Sequence, residues 1–372
     1  MPLIWSAVTG VLFVVGSGLL TRHLRTAGVA IVLAVVSVSA LRSAEPQPLR
    51  GGTKWVRPTD QSPLPRWGIE GGLQFALYPT AIVPGRPGPR GLIRIGFPTL
   101  PDGRYDLINF IAIEPVVGGN RGLSELEPSE LDGVPGKRIW ASAAKSEPRV
   151  ETIAEAGTIR RLPSGAEELE VVLRIERFVS GAHPYLRVRQ RSDAPHEMEL
   201  AAFAEPDSAA MTACVLTATM GNRIRARELW LAAGPVTSHE LYGDYRGTWF
   251  AKHAVFPRER LHRTAIGDFL AAITTDEANP SEVFPIPGTK IWHYAGDKVT
   301  QYWRRPGAAA SAKLSVAVNG RYTYWNSERP IPGGVSFENF EMREPFQDGQ
   351  TFVFGITRST PKELGFTEGT EH

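Results

Sequence analysis

Apolar residues in this chain recur at every second position in short runs, and Gly, Pro, Asn and Asp punctuate the runs. One stretch sets the frame: Tyr105 to Glu127, YDLINFIAIEPVVGGNRGLSELE. Its first half is apolar on both alternating faces, through Leu107, Phe110, Ile111, Ala112, Ile113, Val116 and Val117, which predicts a central strand covered on both sides. Asn109 and Glu114 interrupt it. A carboxylate at that position must be paired, protonated or facing a cavity, because unpaired buried charge is strongly unfavourable. The strand then opens into Gly118, Gly119, Asn120, Arg121 and Gly122, followed by Glu125 and Glu127, which makes this the first place to look for a site. A plainer reading also accounts for these residues: Glu114 pairs with a core arginine and the loop is an ordinary turn.

Twelve further runs predict strands, starting at Leu73, Gly91, Glu168, Pro184, His196, Thr212, Arg223, Asp268, Lys290, Val299, Lys313 and Thr351. In RIRARELWL, Ile224, Ala226 and Glu228 would face one way and Arg223, Arg225, Arg227 and Leu229 the other, so one sheet face is expected to be wet. No segment keeps a helical period, although residues 122–131 are compatible with a short helix, and no internal repeat suggests a solenoid or propeller. The expected fold class is all-β: a large antiparallel two-sheet sandwich, supersandwich-like, preceded by one or two N-terminal hydrophobic helices. This strand texture resembles, in architecture, the large sandwich domains of galactose-mutarotase-like proteins and of some polysaccharide lyases and glycoside hydrolases. No signature of those families stands at matching positions, so no catalytic residue carries over.

Residues 3–20 form an uncharged apolar run of about the length that spans a bilayer. TRHLRTAG, VAIVLAVVSVSA and LRSAEPQP then follow in the order of a secretory signal: basic region, apolar region, small-residue cleavage triplet. Either a membrane-inserted hairpin or a cleavable signal fits. Both predict a periplasmic or extracellular location, with the membrane as a partner if the segment is retained. The expected organisation is 1–41 signal peptide or transmembrane segment, 42–68 Pro/Gly-rich linker, and 69–372 β-sandwich domain.

A net charge of +2 leaves no concentrated basic footprint for nucleic acid, so none is expected as a partner. Arginine outnumbers lysine 33 to 8. Either bidentate contacts to acids or sugar hydroxyls, or simply a GC-rich genome, would produce that bias. Cys214 is the only cysteine, so no internal disulfide forms, and its apolar surroundings mark it as core packing.

The densest functional-type segment is Ser238 to Arg263, SHELYGDYRGTWFAKHAVFPRERLHR. Sugar binding needs flat aromatic faces beside planar polar groups, and this segment supplies Tyr245, Arg246 and Trp249. His253 is the expected acid/base residue, since imidazole titrates near neutral pH. Glu114 is the candidate catalytic carboxylate, and Arg121, Trp292, His293 and Trp303 join Tyr245, Arg246 and Trp249 as expected substrate-binding residues. Glu125, Glu338 and Asp244 are also eligible acids. The histidine spacings match no zinc pattern, so no metal or other cofactor is expected. The resulting expectation is an exported or tethered carbohydrate-binding sandwich acting in polysaccharide processing by acid/base chemistry. The alternative is a non-catalytic envelope scaffold whose aromatic residues are all core.

Overall fold

Period-two alternation produces strands that bury one face, and strand after strand of this chain does so. The computed structural model describes residues 53–82, 88–149, 154–219, 221, 223–283 and 293–368. The N-terminal apolar runs, Trp292 and the strand expected from Lys290 lie wholly or largely outside these residues. Among the described residues no helix is long and apolar enough to cross a membrane.

The first strands are β1 (Trp55–Val56), β2 (Arg66–Ile69), β3 (Gln74–Ala76), β4 (Leu92–Phe97), β5 (Asp106–Val117), β6 (Asn120–Arg121) and β7 (Ile139–Ala141). Next come β8 (Thr158–Arg161), β9 (Glu167–Ile175), β10 (Pro184–Arg191), β11 (Ala194–Ala204), β12 (Ala213–Ala218), β13 (Ala226–Leu231) and β14 (Gly234–Thr237). The last are β15 (Ala254–Pro257), β16 (His262–Arg263), β17 (Phe269–Thr275), β18 (Thr300–Arg305), β19 (Ser315–Arg321), β20 (Ser336–Arg343) and β21 (Gln350–Thr357). One sheet of ten strands runs β1-β2-β3-β4-β5-β12-β20-β19-β15, with β6 beside β5. The other, of eleven, runs β14-β13-β17-β18-β21-β11-β10-β9-β7, with β16 beside β17 and β8 beside β9. The described chain is therefore nearly all β, in two large antiparallel sheets arranged as a sandwich. The one α-helical turn among the described residues, Ser238–Tyr242, is closed by a capping box between Thr237 and Glu240; residues 122–131 form turns, not the short helix the sequence allows.

The core lies between the sheets. Ile111, Ile113, Cys214, Leu216, Val316, Val318, Phe340 and Met342 come from the first sheet, and Leu186, Val188, Met198, Leu200, Phe352 and Phe354 from the second. Asn109, the polar interruption in β5, donates to Gln301 Oε1 of the other sheet at 2.6 Å, which is how a buried amide is tolerated there. Trp303 also belongs to this core. It is fully buried and donates its indole N–H to Phe340 O at 2.9 Å, so the expectation that it faces a ligand is corrected.

The wet face expected in RIRARELWL is corrected as well. Arg223, Arg225 and Arg227 are buried, held by Asp106 at 2.9 Å, Glu277 at 2.6 Å and Asp276 at 2.9 Å respectively. A bulge between Ala226 and Glu228 resets the alternation, so Ala226 and Leu229 both reach the core. A wet face does occur on β10: Leu186 and Val188 point inward, while Arg189 bridges Glu170 at 2.8 Å and Glu199 at 2.9 Å on the neighbouring strands.

If Trp303 is core, Trp303→Ala should lower the unfolding free energy by about 3–5 kcal/mol, measured by urea denaturation. A loss under about 1 kcal/mol would contradict this placement.

Candidate functional site

The outer face of the first sheet is the side turned away from the core, and a single row of residues crosses it. In register, Ala112 lies opposite Thr217, Thr217 opposite Glu341, Glu341 opposite Ala317, and Ala317 opposite Val255. Each of these residues alternates with core neighbours on its own strand, so the pleat alone turns them outward. Glu114 stands two residues beyond Ala112, on the same face.

A tight hairpin brings Arg121 over this row. Val117 pairs with Asn120, leaving Gly118 and Gly119 as the two central residues at φ 57° and 83°, the left-handed backbone that a type I′ turn requires. The strand returns with Arg121 opposite Val116. The guanidinium Nη2 reaches Glu114 Oε2, Glu341 Oε2 and Thr217 Oγ1, the last at 3.0 Å. From the other side, Arg343 of β20 donates to Glu341 Oε1. His253, just before edge strand β15, sets Nε2 2.9 Å from Glu341 Oε1 and 3.4 Å from Asn319 Nδ2. The small Ala317 between the two strands leaves room for that reach.

The carboxylates are deep and the basic groups shallow. Side-chain exposure is 0% for Glu341 and 3% for Glu114, against 26% for Arg121, 25% for Arg343 and 30% for His253. Thr217 Oγ1 lies 2.8 Å from Glu114 Oε2 and 2.9 Å from Glu341 Oε2. A hydroxyl brings one proton, and a proton carried by one of the two carboxyls satisfies the second contact. One proton shared by the pair fits this arrangement. Burial pushes the Glu114 carboxyl up to about 8, against the opposing pull of Arg121. Burial acts on Glu341 too, but His253, Arg121 and Arg343 outweigh it and hold this carboxyl well below the usual range. The shared proton thus sits on Glu114, and Glu341 is the anion. Glu125, on the loop after β6, is also raised by burial, and its Oε2 is enclosed without a partner.

Three of the residues picked from the sequence, Glu114, Arg121 and His253, come together here. Glu114 sits beneath Arg121, paired with it and 3% exposed, as the plainer reading of a carboxylate held by an arginine has it. Tyr245, Arg246 and Trp249 lie on the loop leading to His253. There Arg246 stacks 5.0 Å from the Tyr322 ring and Trp249 is 73% exposed. His293 is elsewhere, 3.2 Å from Ser281 O. Thr217, Glu341 and Arg343 were missed. Thr217 was hidden in a run read as core. In SFENFEMRE the alternation of Phe340 and Met342 with Glu341 and Arg343 was the available signal for an outward-facing acid and base on a strand. Among the described residues no group of His, Cys, Asp and Glu is arranged to hold a metal ion. A separate cavity of about 210 Å³ opens in the second sheet, where Ala141–Ala143 and Gly157–Thr158 leave a gap over Glu170–Val172.

No protein-family model matches the chain. No curated protein matches it either. Similar solved structures include the galactosidase domain of alpha-galactosidase-sucrose kinase, AgaSK, at 9% identity and TM-score 0.34, over 84% of this chain and 43% of that one. They also include the structure titled Crystal Structure Analysis of HI1317, at 9% identity and TM-score 0.23, over 82% of this chain and 100% of that one. The chain thus spans less than half the length of the first. Likeness at this level carries no argument about chemistry.

The proton assignment has a pH consequence. Because folding raises the Glu114 pKa, the native state keeps a proton that the unfolded chain releases above about 4.5. Its stabilising contribution is complete below that pH and is lost as pH rises through about 8. Glu341 is ionised in both states across this window and does not mask the effect. Glu114→Gln should therefore gain stability relative to the parent between pH 5 and 8, by at most about 1.4 kcal/mol per pH unit, in urea denaturation at each pH. A flat difference would refute the assignment.

Proposed function

We propose that the protein is an exported or membrane-tethered carbohydrate-binding sandwich. Its site is the network on the outer face of the first sheet, and His253 moves a proton at the bound sugar. The observation that supports this most is the His253–Glu341 pair. An ionised, fully buried Glu341 accepts the Nε2–H of His253, which selects that tautomer and leaves the Nδ1 lone pair as the proton acceptor. With a side chain 30% exposed, the imidazole can meet a ligand that Glu341 and Glu114 cannot reach. Arg121 and Arg343 supply donors on either side. Glu114 acts through Arg121 as a positioning residue, contributing a neutral carboxyl that leaves the guanidinium charge uncancelled. Trp249 offers an exposed ring on the adjoining loop of the kind sugars stack against. The apolar N-terminal runs support the export part of the reading.

A rival reading, a non-catalytic scaffold whose network is purely structural, draws on the burial of both carboxylates, since buried ion clusters also occur for structural reasons. His253→Ala separates the two. The proposal expects saccharide binding or turnover to fall at least about tenfold, with the melting temperature down by no more than about 6 °C, the cost of one of the four donors to Glu341. Binding would be followed on an oligosaccharide array and turnover by reducing-end release. A large fall in melting temperature with binding unchanged, or a blank array and assay for the parent, would favour the scaffold.

A further inference from the structure

We infer that the ligand of this site is an anionic saccharide, whose carboxylate, that of a hexuronate unit, sits between Arg121 and Arg343; the inference rests on the proposed function above. The groups that a ligand can reach here are donors. Arg121, Arg343 and His253 are each about a quarter to a third exposed, whereas the acceptors Glu341 and Glu114 are closed off at 0% and 3%. A neutral sugar presents hydroxyls that both donate and accept, and it is matched by a mixed rim in which carboxylates take the hydroxyl protons. This rim has no such open carboxylate among its members. A ligand group made only of acceptors fits it better.

Charge points the same way. Two guanidiniums flank one charged carboxylate, because the contacts of Thr217 with both acids are satisfied together when one of them holds a proton, and desolvation raises the Glu114 pKa. The remaining acid in the neighbourhood, Glu125, has an enclosed Oε2 without a partner, a setting that favours its neutral form. The network is left with one positive charge in excess. Among the described residues Arg343 meets Glu341 through Nη2, and its Nε is enclosed without a partner, so the two Nη groups are what a ligand can meet. The paired Nη groups of a planar guanidinium match a carboxylate in two-point geometry.

The test compares oligogalacturonates, neutral galacto-oligosaccharides of equal length and sulfated galactan oligosaccharides, by calorimetry on the full-length protein. The expected result is uronate binding at least about tenfold tighter than neutral binding, weakened further as salt rises from 0.05 to 0.5 M. Arg343→Gln should remove about tenfold of that preference, and Arg343→Lys, which keeps the charge but loses the fork, should retain part of it. If Arg343→Gln does not fold, the preference of the parent and the Arg343→Lys variant decide. Equal binding of neutral and uronate chains, with Arg343→Lys unaltered, would overturn this inference while leaving the site in place, provided that His253→Ala still abolishes binding. A preference for the sulfated chains would overturn the carboxylate assignment. Failure of all three to bind would overturn both the inference and the function proposed above.

Discussion

Glu341 is a carboxylate taken wholly out of water on the outer face of a β-sheet, and the surrounding architecture answers that one cost. Desolvating an ion costs several kcal/mol even after relaxation, and an ion so placed persists only when directed donors replace its hydration. Here the donors are Arg121, Arg343, Thr217 and His253, delivered by three strands and a loop. Arg121 and Glu341 are 220 positions apart in sequence, so the network ties the central hairpin to a strand two places along the sheet. Glu114 shares the same arginine and hydroxyl. With two buried acids and one shared proton, the further donors His253 and Arg343 on Glu341 leave Glu114 as the neutral member, and this leaves the guanidiniums with charge to offer outward.

The same arginine chemistry recurs where no site is proposed. Arg223, Arg225 and Arg227 lie buried just before and at the start of β13 and fasten Asp106, Glu277 and Asp276, while Arg90 forks onto Asp132. A chain with a single cysteine has no covalent staple, and guanidinium forks give its loops directional anchorage instead. The surplus of arginine over lysine fits that use, since a lysine presents a point charge without the fork. It also means that burial of an ion pair does not by itself mark function in this protein. Unlike the pairs of Arg223, Arg225, Arg227 and Arg90, the first-sheet network keeps its basic members partly open and its acids closed.

Alternation made much of the sandwich legible. The inward residues of β5, β10, β12 and β21 can be read from the sequence, because the pleat fixes which side chains share a face. The reading failed where a bulge broke the period, as between Ala226 and Glu228, and where a strand was short or carried charge on alternate positions, as in β20. The aromatic residues misled for a related reason. Trp303 and the ring-rich strand around it look equally suited to a groove or a core, and only the position of the opposite sheet, with Phe340 O placed to receive the indole proton, settles the matter.

From the chain alone, then, came most of the strands, the glycine-rich loop that carries Arg121 after the central strand, and the requirement that Glu114 be compensated. These are local consequences of side-chain period, backbone sterics and desolvation. The tertiary structure decided the rest: that β12 and β20 lie beside β5, that Thr217 and Glu341 therefore stand next to Glu114, and that His253 reaches across β19 to join them. Strand order and register depend on contacts between residues a hundred or more positions apart, and no local pattern encodes which outward-facing side chain will meet which.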